Sequence, residues 1–304
     1  MLSDKIKTLR RQANLSQEQL AEKLQVSRQA VTKWETGGGV PDIDNLRAVA
    51  GLFQVSLDEL LENEPLTSSA PEYLYESTTE YDIDSVKSFD MTLTGAYTVN
   101  ICGYGGEKIQ VRLASNEIAD IQSAFKVKID DIKTRIDVEM HRYEAVSEMT
   151  AKEALLVFIR LPQRYVKDVE LSGNMLALDI RQLQAQRLEF SGKTPAVRLE
   201  DVSGHIELNC NIDMVIDCKN LNGRLDVNQI SAASRIFLPQ DTAFLAVVRG
   251  IANHIYYERE GKMCADFSLS AEEASGGENV IELNGMKSEL VISAITQPLA
   301  EARP

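Results

Sequence analysis

Over the first sixty residues apolar side chains recur at intervals of three and four, and beyond about residue 85 they alternate with polar ones. The first spacing lays one face of a helix on a core; the second does the same for a strand. Ser3 precedes a helical run bearing Ile6 and Leu9 that closes near Ala13-Asn14. Ser16-Gln17-Glu18-Gln19 has the Ser-x-x-Gln form of a reciprocal cap and opens a helix with Leu20, Ala21 and Leu24 on one face. Ser27 caps a third helix through Val31 and Trp34, which Gly37 ends. Asp42 caps a fourth, with Leu46, Val49, Ala50 and Phe53, and Ser56 starts a short fifth with Leu60 and Leu61.

Pro65 to Pro71 holds two prolines and three hydroxyl residues, the composition of an extended linker. The acidic stretch Glu72 to Ser85 reads either as more linker or as an edge strand. Val99–Cys102, Gly103–Gly106 and Ile109–Leu113 read as strand, glycine-rich turn and strand. No Gly-Lys-Ser/Thr follows that turn, so it is not a phosphate loop. Thr134 to His141 alternates as another half-buried strand, and 113–125 and 143–154 have room for short helices.

Two repeats run through this half. Leu161-Pro162-Gln163 returns as Leu238-Pro239-Gln240, each ten residues ahead of a glycine, Gly173 and Gly250. Ser203-Gly204-His205-Ile206 returns nineteen residues later as Asn222-Gly223-Arg224-Leu225, and Leu283-Asn284-Gly285 begins a similar phrase. Short strands between Gly turns at a fixed interval predict stacked coils. The fold class is therefore multidomain α and β: a small five-helix bundle, then an all-β repeat domain, β-solenoid-like or stacked-sheet. The boundaries read 1–63, linker 64–85, β domain 86–297 and tail 298–304.

Composition removes several classes. The 304 residues carry 32 basic and 46 acidic side chains, a net charge of −14, which taken whole is the wrong sign for coating a polyanion. The distribution is uneven: residues 1–40 hold seven basic and four acidic side chains, residues 41–64 one and six. No apolar run reaches the ~18 to 20 residues of a membrane span. The start lacks a secretory leader, so the expected location is cytoplasmic, with no membrane partner. Cys102, Cys210, Cys218 and Cys264 lie far apart and read as reduced, buried thiols; Cys210 and Cys218 share strand parity and could meet across a coil. Three scattered histidines offer no metal set, and no cofactor is expected. The carboxylates Glu200, Asp201, Asp213, Asp217 and Asp226 show no acid/base spacing, so no enzyme is expected.

The phrases Leu15-Ser16-Gln17-Glu18-Gln19-Leu20-Ala21 and Val26-Ser27-Arg28-Gln29-Ala30-Val31-Thr32-Lys33-Trp34-Glu35, followed by Gly37 and Pro41, resemble the Cro/C1-type (XRE) helix-turn-helix transcriptional regulators. The resemblance covers residues 1–62 and implies double-stranded DNA as partner. Ala21 is small where two helices would cross, and Val31 and Trp34 face inward. Ser27, Arg28, Gln29, Thr32 and Lys33 are then left outward, to enter a major groove ~12 Å wide. Gln17 sits where the family holds a phosphate, helped by its helix dipole. Gln25 replaces the usual turn glycine, and Gly37-Gly38-Gly39 replaces a polar or basic loop.

The β half resembles the adhesin-like β-strand repeat domains of bacteria, whose name implies no established activity. Together these expectations describe a homodimeric repressor that reads a pseudo-palindromic operator through residues 27–36. The β domain would serve self-association or sensing, with an unknown effector or protein partner. An antitoxin-like or scaffold protein working through protein contacts is the alternative.

Overall fold

The computed structural model describes residues 6–7, 9–10, 15–24, 26–35, 39, 41, 43–53, 73–240, 242–259, 262–264 and 279–295. The chain divides into two units, Met1–Glu72 and Tyr73–Pro304.

In the first unit lie α1 (Gln17–Leu24), α2 (Arg28–Glu35) and α3 (Ile43–Phe53), and residues 6–7 and 9–10 are helical too. The Ser16 cap forms both ways: Gln19 N–H donates to Ser16 Oγ at 3.1 Å, and Ser16 N–H to Gln19 Oε1 at 2.8 Å. Ser27 Oγ takes the Ala30 N–H at 3.1 Å and so starts α2. Such caps contribute about 1 kcal/mol each. Ile6, Leu20, Ala21, Val31, Trp34 and Val49 form the core. The expected first-helix ends, the caps at Asp42 and Ser56, the fifth helix and the turn at Gln25 lie outside the described residues, as do 64–72 and 298–304.

Among the described residues of the second unit, nineteen strands join in one sheet. Two ladders run through it. Ladder B takes, in spatial order, β5 (Phe125–Ile132), β6 (Arg135–Arg142), β2 (Lys87–Thr92), β8 (Val166–Arg181), β9 (Gln184–Lys193), β11 (Ser203–Asn209), β13 (Asn222–Ile230), β18 (Asn279–Met286) and β15 (Phe244–Val248). Ladder A begins with β1 (Tyr75–Asp82), β4 (Lys108–Ser115), β7 (Leu156–Pro162) and β3 (Ala96–Tyr104). It continues through the second half of β8, then β10 (Ala196–Glu200), β12 (Val215–Lys219), β14 (Ala233–Pro239), β19 (Glu289–Ile295), β16 (His254–Arg259) and β17 (Lys262–Cys264). Short helices α4 (Ile121–Ala124) and α5 (Glu148–Ala154) precede β5 and β7.

Most pairings are parallel because each turn of chain lays one strand in B and the next in A. Eight coils result, numbered along the stack: β6–β7, β2–β3, β8, β9–β10, β11–β12, β13–β14, β18–β19 and β15–β16. The nineteen-residue repeat is one such coil, since Ser203 faces Asn222 and Ala196 faces Val215. Alternation sends Ile206, Leu208, Leu225 and Val227 inward from B, and Leu199, Ile216 and Ile236 inward from A.

The repeated Leu-Pro-Gln phrase marks the two places where the chain skips a coil. β7 ends at Pro162, and the chain passes coil 2 to enter β8; β14 ends at Pro239, and it passes coil 7 to enter β15. Proline, lacking an N–H, is suited to closing a strand. Gly204 (φ +122°) and Gly223 (φ +131°) stack in register, and a Cβ on Gly223 would lie 2.3 Å from the Gly204 carbonyl oxygen. Only glycine fits there.

One boundary is corrected. Residues 75–82, assigned to the linker, form edge strand β1, paired antiparallel with β4 from Tyr75↔Ser115 to Asp82↔Lys108. An edge strand needs few apolar side chains, and charges on it discourage further pairing, so its text resembles a linker. The strands flanking the Gly103–Gly106 turn do not pair with each other; β7 lies between them.

Candidate nucleic-acid interface

Helix α2 buries Val31, Trp34 and Glu35 and leaves Arg28, Gln29 and Lys33 exposed on its other side, with Thr32 half-buried between the two. Ser27, at its N-cap, is exposed, with its hydroxyl oxygen engaged in the cap. Gln29 and Lys33 stand one turn apart, so two exposed donors share one stripe.

A buried polar clasp holds this helix against the first. Glu35 is 5% exposed. Arg10 Nε donates to its Oε1 at 2.5 Å and Arg10 Nη2 to its Oε2 at 2.9 Å, while Arg10 Nη1 reaches the Leu15 carbonyl at 2.8 Å. Gln17 Nε2 adds a third bond to Glu35 Oε2 at 2.8 Å. Burial works to raise the Glu35 pKa, but the hydrogen bonds from Arg10 and Gln17 and the charges of Arg10 and Lys7 outweigh it, and the net direction is down. The Arg10 pKa is raised in turn, chiefly by its bond to Glu35.

Gln17 is therefore half-buried and bridges α1 to α2, its Oε1 also accepting from Thr32 Oγ1 at 3.3 Å. Thr32 Oγ1 lies within 3.0 Å of the Arg28 carbonyl as well. The structure thus brings Gln17, Thr32 and Glu35 together, with Ser27, Arg28, Gln29 and Lys33 on the exposed side. Sequence reasoning missed Arg10 and Glu35 as a pair. Their separation of 25 positions leaves no local mark.

Residues 6–60 match the helix-turn-helix family. The N-terminal unit carries a helix-turn-helix domain. The chain is 47% identical over 68 residues to the HTH-type transcriptional activator BcrR of Enterococcus faecalis, covering 22% of this chain and 33% of that protein. It is 39% identical over 64 residues to the uncharacterized HTH-type transcriptional regulator YqaE of Bacillus subtilis, covering 21% of this chain and 55% of that one. The chain therefore spans about a third of the first relative's length and just over half of the second's. Two solved structures are similar over 73% of the chain at 13% identity: a candidate cell adhesion protein from Clostridium sporogenes (TM-score 0.35, 99% of that chain) and a candidate adhesin from Bacteroides fragilis (TM-score 0.39, 98% of that chain).

In the β unit, the carboxylates singled out from the sequence each have separate partners. Asp213 Oδ1 accepts from Ala233 N–H at 2.7 Å, and Asp201 Oδ1 from Asn220 Nδ2 at 2.7 Å. Asp217 lies 3.6 Å from Arg198, and Glu200 lies between Arg181 and Lys219. Asp226 joins a row the sequence did not reveal. Asp137, Asp90, Glu170, Glu189, Glu207, Asp226 and Glu282 stand in direct register on ladder B, interleaved with Arg135, Arg187, His205 and Arg224. The steps from Glu170 through Glu189 and Glu207 to Asp226 are eighteen or nineteen residues, so the coil period applied to acids would have found those four. Cys210 and Cys218 are free, buried thiols. Among the described residues no helix is long and apolar enough to cross a membrane.

Proposed function

We propose that this chain is a sequence-specific DNA-binding transcriptional regulator, with α2 as its reading helix. The observation that carries this is the division of α2: Val31, Trp34 and Glu35 lock it inward, and Arg28, Gln29 and Lys33 remain exposed. Gln29 has the amide geometry to pair bidentately with adenine, and Arg28 or Lys33 suits guanine, each contributing roughly 1–3 kcal/mol of discrimination. Gln17 commits one amide hydrogen to Glu35. Its second is available for a phosphate, in line with a positioning contact. Two copies would read a pseudo-palindrome with half-sites ~34–36 Å apart, repressing where that site overlaps a promoter. The β unit, read as a non-catalytic solenoid scaffold, pairs the copies.

The test is selection of binding sites from random duplexes by the full chain, at low salt. A recovered motif supports the reading, and recovery of unselected sequence overturns it. Arg28→Ala and Gln29→Ala should each relax one position of the motif while thermal unfolding stays unchanged. An unaltered motif removes these side chains from base readout.

A further inference from the structure

Eleven large apolar side chains are exposed among the described residues, and six of them share one corner of the coil stack. At that corner the chain passes from ladder B to ladder A. Met149 sits there on α5 in coil 1, Leu176 in coil 3, Val215 in coil 5, Ile230 in coil 6, Met286 in coil 7 and Ile251 in coil 8. Their exposures run from 41% to 70%. Side chains scattered singly would need no explanation; a line of them along one ridge does.

The line has an internal order. At one end Met149 and Leu176 line an open groove of about 450 Å³, rimmed by Glu148, Lys152 and Glu153. At the other end Ile230, Met286 and Ile251 stand side by side in register, an exposed apolar row flanked by exposed Lys287. Val215 lies close to the middle of the eight coils. Groove and row are about five coils apart, roughly 24 Å at ~4.8 Å per strand.

We propose that this corner is the surface on which two copies of the chain pair, antiparallel about a two-fold axis near Val215. A two-fold operation about the middle of the stack sends coil 1 to coil 8 and coil 3 to coil 6. It seats the apolar row of each copy against the groove of the other, and brings Lys287 of each toward Glu153 of its mate. Both ends of the ridge are then covered by a single contact repeated twice, which is the defining property of an isologous interface. A partner of another kind would need its own groove and its own row in the same order. The proposal rests on the reading that the β unit pairs two DNA-reading modules. It is tested without DNA, so either can fail alone.

The full chain is examined by sedimentation at micromolar concentration. A dimer is expected, with Ile251→Asp raising its dissociation constant at least tenfold while thermal unfolding is unchanged. Glu153→Lys and Lys287→Glu should each weaken pairing, and the double exchange should restore it. A thiol-reactive cross-linker of about 10 Å distinguishes the geometry. Val215→Cys should link to its own copy beyond the wild-type background. Ile251→Cys should link to Met149→Cys when the two variants are mixed, and not to itself. A monomeric wild-type chain overturns the proposal, as does a dimer indifferent to Ile251→Asp, or Ile251→Cys linking to itself. Monomers that bind phosphatidylglycerol vesicles through Ile251 would reassign the ridge to a lipid surface and equally overturn it.

Discussion

Arg10→Ala tests whether the buried clasp positions the reading helix. The Arg10 and Glu35 side chains are 12% and 2% exposed, so solvent screens their interaction weakly. The substitution removes two of the three hydrogen bonds to Glu35 and leaves only Gln17. Breaking a buried pair from one side costs about 3–5 kcal/mol, because the remaining charge stays desolvated. For a unit of this size that is most of the stability available. The chain has one tryptophan, Trp34, buried in the helical core, so its fluorescence follows this unit alone within the full chain. In urea the Trp34 transition should move by about 3 kcal/mol or more. Arg10→Met with Glu35→Leu, which removes both charges, should recover most of the loss. The pH dependence has a definite sign. The pKa of Glu35 is lowered on folding, so its contribution is full at neutral pH and fades as pH falls through and below the ordinary carboxylate range. A Trp34 transition shifted by less than 1 kcal/mol in Arg10→Ala, or a double variant as weak as the single, refutes the reasoning.

Three further outcomes concern the β unit. Gly223→Ala, forced into contact with the Gly204 carbonyl at positive φ, should cost about 2 kcal/mol or more and lower the calorimetric midpoint by roughly 5 °C; an unchanged midpoint contradicts the stacking. Asn284, Asn228, Asn209 and Glu189 form a directional amide chain, with bonds of 2.9, 2.6 and 2.7 Å. Asn228→Ala interrupts it and should cost about 1–2 kcal/mol, against a negligible effect at an exposed position off the chain. Burial, reinforced by the charge of Asp217, pushes the Cys218 thiol well up. Thiol titration near pH 8 should therefore leave Cys218 unreacted until the chain unfolds; modification of the native protein at a free-thiol rate argues against the burial.

Local chemistry was legible in the sequence, and long-range pairing was not. The reciprocal cap at Ser16, the cap at Ser27 and the inward set Val31 and Trp34 depend on neighbours three or four positions away, and all are found. The coil period was equally visible, since parallel stacking sets identical demands on Gly204 and Gly223. The stretch that holds β1 reads either as linker or as edge strand, because an edge strand carries the polar text of a solvated segment. Glu35 reads as one more surface charge until Arg10 is seen to reach it. The order of the coils in space also escaped, because no local preference states which strand a given strand will meet.

The two skips bear on how the chain acquires its structure. Coil 7, made of β18 and β19, is inserted between coils contributed by earlier sequence, and the partner of β15 among the described strands is β18. During synthesis β15 and β16 therefore emerge before the strands they dock on exist. The apolar text of β15, Phe244-Leu245-Ala246-Val247-Val248, must wait without its β18 partner until residues 279–286 leave the ribosome. Coil-by-coil growth from one end, natural for a repeat stack, stops at coil 6. Completion then requires two coils to arrive together, a slow step that exposes a strand prone to pairing elsewhere.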